Sequence, residues 1–408
     1  MSLYAKLAWR NIFRNKRRTY ITGTAIAIGL AALIFLDALY IGMANNMIAS
    51  ATASFTGEGQ IHARDFLQTQ DVNKTVADLD KVVARLKEES VLKKYSLRTL
   101  CQGTVTSAAD VDPVLLIGIR PELEKDLSQV DDTIIQGSFF SGDNSQDIVI
   151  GSKLADLLSV GLGDRVVITV SQAGSGSLSQ DLFRISGIYR FNIEDLDNGL
   201  AFVRLNKAQA MLNLGNRVHE IALAFKDPRI SQDESNPFWA KYSFSGNEAQ
   251  GWTKLFPALK SIYDLTQIGI LIVGVILFAV VALGIINTLF MSIYERMFEF
   301  GVLRAVGTRP FGIRKLVVWE AGALAVLSIG LGVALGFIFT LIISRTGLDY
   351  KGVEFAGVTI KELIYPVLKV KQFIIYPVCV LLFTLFVGLY PASYAARMSV
   401  IGAMKRTL

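Results

Sequence analysis

Side chains able to carry covalent chemistry are sparse in this sequence. The two histidines, His62 and His219, are far apart, and neither has ligand-type neighbours at metal-site spacing. Each reads as a structural or surface residue. Cys101 and Cys379 cannot build a disulfide framework, because Cys379 falls inside a long apolar run; Cys101 reads as a buried structural cysteine. There is no G-x-x-x-x-G-K-[ST] phosphate loop, H-E-x-x-H, C-x-x-C or G-x-S-x-G. No nucleophile has an adjacent base, so no catalytic residue and no metal ligand is assigned. What stands out is charge in unusual places. Asp37 and Glu320 lie inside apolar runs, where ionisable groups are functional candidates by default. Each is about one helical turn from the end of its run, so each can reach an interface, which is the plainer reading.

The other unusual charges follow one of the apolar runs, in Tyr294-Glu295-Arg296-Met297-Phe298-Glu299-Phe300-Gly301-Val302-Leu303-Arg304-Ala305-Val306-Gly307-Thr308-Arg309. Glu295 and Glu299 are four apart and would share one helix face; Phe298 and Val302 would share another. Arg304 closes the turn before Gly307. A short amphipathic helix carrying both signs of charge suits docking into a groove on a soluble partner. Composition alone favours a solvated loop.

These residues must be positioned by the elements around them. Of 408 residues 52% are apolar and only 19% charged, with a mean hydropathy of +0.43; a typical soluble domain has about a quarter charged. Four stretches, 20–41, 265–294, 316–344 and 372–396, hold only the charges Asp37 and Glu320. Each can cross a hydrocarbon core as a helix, which takes about 20 residues, and backbone polar groups in lipid require that helix. The fold class expected is an α-helical membrane protein with four transmembrane helices and a large α+β extracytoplasmic domain, 42–264, between the first and second.

Charge sets the expected topology. Residues 1–19, the loop 295–315 and the tail 397–408 together hold 14 basic and 2 acidic residues, whereas 42–264 holds 22 basic and 28 acidic. By the positive-inside rule both termini and 295–315 are cytoplasmic, and 42–264 lies outside. The second outer loop, 345–371, is weakly basic and does not help. The overall charge of +6 is thus a topology signal rather than a nucleic-acid footprint. The apolar run after Arg18 is longer than a signal-peptide core and no clear cleavage site follows it, so an uncleaved first span is expected. Residues 1–19, with Leu3, Leu7, Trp9, Ile12 and Phe13 among bases, read as an amphipathic helix at the membrane surface or as a plain positive-inside anchor.

Within 42–264, spacing predicts a helix over 75–94 and strands at 103–107, 113–119, 147–151, 165–170, 182–190, 200–205 and 219–225, with short helices at 152–160 and 206–214. Gly174, Ser175, Gly176, Ser177 and Leu178 form a hairpin tip between two strands. Residues 230–264, with Trp239, Trp252 and Phe256, read as a partly helical return to the membrane. Small residues recur at four-residue spacing in the first span (Gly23, Ala27, Ala31) and the third (Gly332, Gly336), a pattern that lets helices approach closely. Pro377 and Pro391 are candidate kinks in the fourth span.

The segment after the second span, E-R-x-x-E-x-G-x-x-R-A-x-G, resembles the ABC-transporter permeases of the MacB/FtsX/lipoprotein-releasing (LolC/LolE-like) superfamily. Four spans with a large outer domain between the first two are similar to the same family. So are L-A-W-R-N-I-F-R-N-K-R-R-T at the N-terminus and the ending from Pro391-Ala392 through Ala395-Ala396-Arg397-Met398-Ser399 to Lys405, although Val400 stands where the family has proline. The resemblance implies a permease dimer, of two copies or of paralogues, that docks an ATPase subunit through the loop after span two. It implies that Glu295, Arg296, Glu299, Gly301, Arg304 and Gly307 carry the coupling, with Phe298 on the docking helix. ATP and Mg would sit on the partner, with no cofactor on this chain. Known members transmit ATP-driven closure to the outer domain, a mechanotransmission. Trp252-x-x-Leu255-Phe256-x-Ala258-Leu259 and the run F-R-I-S-G-I-Y-R to A-Q-A-M-L over 183–212 resemble the lipoprotein-releasing branch. That branch implies an inner-membrane permease releasing outer-membrane-directed lipoproteins, in contact with membrane lipids, with a periplasmic carrier as a further partner. In one such permease the hairpin corresponding to 171–180 binds that carrier; here it is Gly/Ser-rich with only Leu178 apolar, which fits the non-hook subunit or one half of a homodimer. The alternatives are a MacB-like efflux permease and an FtsX-like regulator of a cell-wall hydrolase.

Overall fold

The computed structural model describes residues 3–14, 16–125, 127–140, 144–191, 193–350, 354–355, 358–359 and 363–398. Residues 399–408 of the expected tail, and residues 351–353, 356–357 and 360–362 of the expected outer loop, lie outside the described residues. The chain forms two compact units, one of Met1–Asn45, Tyr263–Tyr350 and Glu362–Leu408, the other of Asn46–Ile262 with Lys351–Lys361.

The first unit is helical. A helix at Leu3–Arg14 precedes four helices long and apolar enough to cross a membrane: Thr19–Thr56, Pro257–Glu295, Pro310–Thr346 and Gln372–Arg397. At 1.5 Å per residue the second is about 58 Å long, roughly twice a ~30 Å hydrocarbon core, so it continues well past its apolar stretch. The two small-residue stripes meet each other. A Cβ on Gly332 would lie 2.8 Å from the Ala27 carbonyl oxygen, one on Gly336 3.2 Å from the Ala31 Cα, and one on Gly23 3.3 Å from the Ser328 Oγ. Spans one and three therefore touch backbone to backbone, the contact that small residues allow where lipid gives no hydrophobic drive between helices. Thr22 and Thr288 share a hydrogen bond between spans one and two.

Among the described residues the second unit is built on a ten-stranded sheet: β1 (Gly59–Ala63), β2 (Leu92–Thr106), β3 (Val111–Ile119), β4 (Ile134–Gly137), β5 (Asp147–Gly151), β6 (Arg165–Ser171), β7 (Leu178–Tyr189), β8 (Leu200–Arg204), β9 (Glu220–Phe225) and β10 (Asn247–Gly251). Six close into a ring, β2-β3-β8-β5-β7-β6 and back to β2, antiparallel except for β3 with β8 and β5 with β7. Alternate residues fill its interior, among them Val105, Leu116, Ile150, Ile168, Phe183 and Val203, as the two-residue period of a strand requires. Residues of the opposite parity, such as Ile117, Val149 and Phe202, join Phe55, Tyr189 and Phe191 in a second cluster. Cys101 is buried in the first of these, as expected. The N-terminal half of β2 leaves the ring and pairs with β9, which continues through β1 to β10. That half corrects the sequence expectation: the helix expected over 75–94 spans only Leu79–Glu88, and the chain is extended from Leu92. Pairing with β9 decides it, since Leu92 and Leu97 bury on the sheet.

A buried ionic cluster joins this half of the sheet. Arg98, wholly buried, donates from Nη2 (2.5 Å) and Nε (3.2 Å) to Glu124, from Nη1 to Glu220 at 2.9 Å, and from Nη2 to the Phe55 carbonyl at 2.6 Å. Ser96 Oγ donates to Glu124 at 2.6 Å. One guanidinium thus serves two carboxylates, and Glu124 holds its fork. Burial pushes the Glu220 carboxyl up to about 7 against the pull of Arg98, with Glu124 adding to the rise.

Candidate functional site

The segment after the second span folds as a short helix, Met297–Ala305, between the second and third long helices. Its start corrects the expectation that Glu295 and Glu299 share one helix face. The long helix ends at Glu295, and Arg296 leaves helical geometry at φ −112° and ψ 19°, so the two glutamates belong to different helices. Its end follows from Gly307, whose φ of +102° is one that side-chain-bearing residues avoid. There Gly307 N–H donates to the Arg304 carbonyl and Thr308 N–H to the Leu303 carbonyl, at 3.1 and 2.9 Å, the paired bonds of a Schellman stop. Pro310 then opens the next helix at its first turn, where a missing N–H costs nothing.

The break at Arg296 turns its guanidinium into a polar chain of side chains. Arg296 donates from Nη1 to Glu320 at 2.6 Å and from Nε to Glu299 at 2.9 Å, and it lies 5.0 Å from the Phe300 ring centroid. Asn11 Nδ2 donates to the same Glu320 oxygen at 2.7 Å, and Arg14 donates to Glu299 at 2.6 Å. Glu320 therefore does not reach an interface as the sequence suggested: it is buried and bonded to two partners. The outer two of these three ion pairs differ in weight. Arg296 and Glu320 keep 11% and 8% side-chain exposure, so losing either strands a buried charge; Arg14 and Glu299 keep 64% and 39%, and such exposed pairs contribute at most about 1 kcal/mol. Burial works against the Arg296 charge, yet Glu320 and Glu299 more than offset it. Burial also raises the Glu299 carboxyl, but hydrogen bonds from Arg296 and Arg14 outweigh this and leave it below its ordinary value.

At the other end, Arg304 Nη1 donates to the carbonyls of Ala396 (3.2 Å) and Met398 (2.8 Å), where the last carbonyls of the fourth long helix lack helical partners. Gly301 is buried beside Met297 and Phe300. The outward side is apolar: Phe298, Val302, Leu303 and Val306 are exposed, Val306 at 83%. Of the seven residues singled out in this segment, Arg296, Gly301 and Arg304 turn toward the helices, Glu299 bridges, and Glu295, Phe298 and Gly307 face outward. Asn11 and Glu320 were not assigned to the site from sequence. The only signal for Glu320 was a lone acid one turn inside an apolar run, and Asn11 lies in the N-terminal segment that resembles the family. Asp37, the other such acid, accepts from Gln372 Nε2 at 3.0 Å, at the first turn of the fourth long helix.

The remaining candidates are structural or peripheral. His219 accepts from Leu100 N–H through Nδ1 and faces the Val72 carbonyl with Nε2, which fixes it as the neutral ring; burial lowers its pKa, and that of His62. The hairpin tip joins β6 to β7, with Gly174 N–H donating to Asn73 Oδ1 at 2.7 Å, Gln172 N–H to the Ser177 carbonyl, and Ser177 N–H to Ser175 Oγ. Gly176 and Leu178 complete it, and Leu178 is 74% exposed.

Two family models match the chain: the MacB-like periplasmic core domain over residues 19–233 and the FtsX-like permease C-terminal region over 271–400. The lipoprotein-releasing system transmembrane protein LolC of Neisseria meningitidis serogroup B is 22% identical over 221 residues, 53% of each chain. The chain thus spans about half the length of that relative. LolE of Haemophilus influenzae is 20% identical over 347 residues, 83% of each chain. The periplasmic region of MacB from Actinobacillus actinomycetemcomitans aligns at 12% identity with a TM-score of 0.34, over 50% of this chain and 94% of that one. The chain therefore belongs to the family of ABC-transporter permeases that combine a MacB-like periplasmic core domain with an FtsX-like permease C-terminal region.

Proposed function

We propose that this chain is the permease subunit of an ABC complex in the cell inner membrane, with both termini cytoplasmic, and that it passes the work of ATP hydrolysis on a partner chain to its outer domain. One observation carries the reading: the short helix Met297–Ala305 is tied to its neighbours by Arg296 and Arg304 while its outer side presents Phe298, Val302 and Val306. A helix held on one side and apolar on the other can transmit a push from a groove that grips it. The basic segments at both ends of the chain and in 295–315 support the topology.

The substrate class we infer is the lipid-anchored protein, supported by relatives named for lipoprotein release. A substrate of this kind leaves the bilayer sideways, and motion of the outer domain lifts it off. The Gly/Ser tip at 174–178 supports a subunit that does not itself hold a carrier.

Two measurements test this. Phe298→Asp with Val306→Asp is expected to remove the ATPase from the co-purified complex while the chain still inserts; undiminished ATPase recovery overturns the docking reading. Depletion of the chain is expected to leave lipoproteins unsorted in the inner membrane. Normal lipoprotein sorting with altered tolerance to amphiphilic drugs would replace this substrate class with efflux, and a cell-separation defect alone would replace it with hydrolase regulation.

A further inference from the structure

A groove of about 690 Å³ runs along the third and fourth long helices, within the size range of ligand sites. Its wall is apolar, built by Gly322 and Val326 on one helix and Leu381 and Leu385 on the other. Its mouth is different in kind. Trp9 and Trp319, each more than 40% exposed, stand there with Arg314 and Lys315. From Arg314 to Val326 the helix rises about 18 Å, close to the roughly 15 Å depth of one leaflet's hydrocarbon. The basic pair lies in the first two turns of the helix Pro310–Thr346, at the positive end of its dipole.

We propose that this groove binds an anionic phospholipid of the adjacent leaflet, its phosphate on Arg314 and Lys315 and one acyl chain along the Gly322–Leu385 wall. The features divide the ligand between them. Apolar wall and leaflet-matched length accept any acyl chain. The paired bases select a negative headgroup, and the two indoles sit at the level where tryptophan prefers the interface. Gly322 keeps the wall open, since a Cβ there would meet Leu385 Cδ2 at 3.2 Å. The inference rests on these helices crossing a membrane and not on ATPase docking.

The four tryptophans make the test direct. Trp239 and Trp252 are buried in the outer unit, whereas Trp9 and Trp319 line the groove. The full-length chain alone, in phosphatidylcholine vesicles, would be titrated with lipid brominated on its acyl chains. Half-maximal fluorescence quenching is expected at a several-fold lower mole fraction of brominated phosphatidylglycerol than of brominated phosphatidylcholine. Arg314→Gln should weaken that preference about fivefold, the factor one basic side chain near a membrane contributes. Arg309→Gln, at the same end but outside the groove, should leave it unchanged. Ala323→Phe fills the groove without touching the bases and should abolish the preference, which keeps the test decisive if Arg314→Gln fails to insert. Equal quenching by both lipids overturns the proposal. So does equal loss in the Arg309 and Arg314 variants, which would mean diffuse attraction, and so does absence of quenching by either lipid, which would mean that protein covers the groove.

Discussion

At the scale of single residues, the molecule separates charges that hold structure from those that face outward. Arg296 and Glu320 form the buried pair, and burial sets the expected energetics: removing one partner strands the other at a cost of about 3–5 kcal/mol, whereas removing both together costs far less. A double-mutant cycle with Arg296→Met and Glu320→Leu, followed by thermal unfolding in detergent, should give a double variant more stable than either single one; additive losses would mean that the pair is not coupled. In the second unit, Glu220 is the surplus carboxylate of the Arg98 cluster. Its folded pKa of about 7 lies above its ordinary value of 4.5, so the native state holds more protons than the unfolded one between those values. Stability then falls as pH rises through that window and levels off above it. Hydrogen-exchange protection of β2 and β9, corrected for intrinsic rates, should decline from about pH 5 to about pH 8, and Glu220→Gln should flatten the profile. A wild-type profile that rises over the same interval contradicts the assignment.

At the scale of elements, patterns that act locally were legible and pairings were not. The two small-residue stripes could be read as close-approach faces, but that they face each other is a fact of packing. Gly332→Leu should destabilise the first unit by at least the 1–3 kcal/mol typical of overpacking, while Gly330→Leu, two residues away with nothing within 4 Å of its Cβ, should be nearly silent. Thermal melts of both variants decide this, and equal effects would remove the contact from the account. The strands of the ring were readable because short apolar runs, continuous in β3, β5 and β8 and alternating in β6, are their own property. Strands β1 and β10 were not, since Gly59-Gln60-Ile61-His62-Ala63 carries a single large apolar residue and Asn247-Glu248-Ala249-Gln250-Gly251 carries none. Their neighbours' hydrogen bonds make them strands. The helix break at Arg296 was hidden for the same reason, because Glu320, the buried partner of the displaced side chain, is remote in sequence.

At the scale of the whole molecule, the expectation to test is orientation. Val306→Cys places a thiol at a site 83% exposed, while Cys101 is buried and Cys379 lies in the fourth span. An impermeant maleimide should reach it in inverted inner-membrane vesicles and not in intact spheroplasts; labelling from the outside would reverse the topology and with it the docking scheme. The sequence by itself determined the four spans, the interposed α+β domain and the family, because apolar length, strand alternation and a contiguous motif are written in neighbouring residues. Tertiary structure alone decided which faces of that motif are spent and which remain open. Arg296 and Arg304 are held by groups tens of residues away, and only the folded chain brings Glu320 and the Ala396 carbonyl within hydrogen-bonding distance of them. Hydrogen bonds and ion pairs act over a few ångströms of space, and position along the chain does not report that distance.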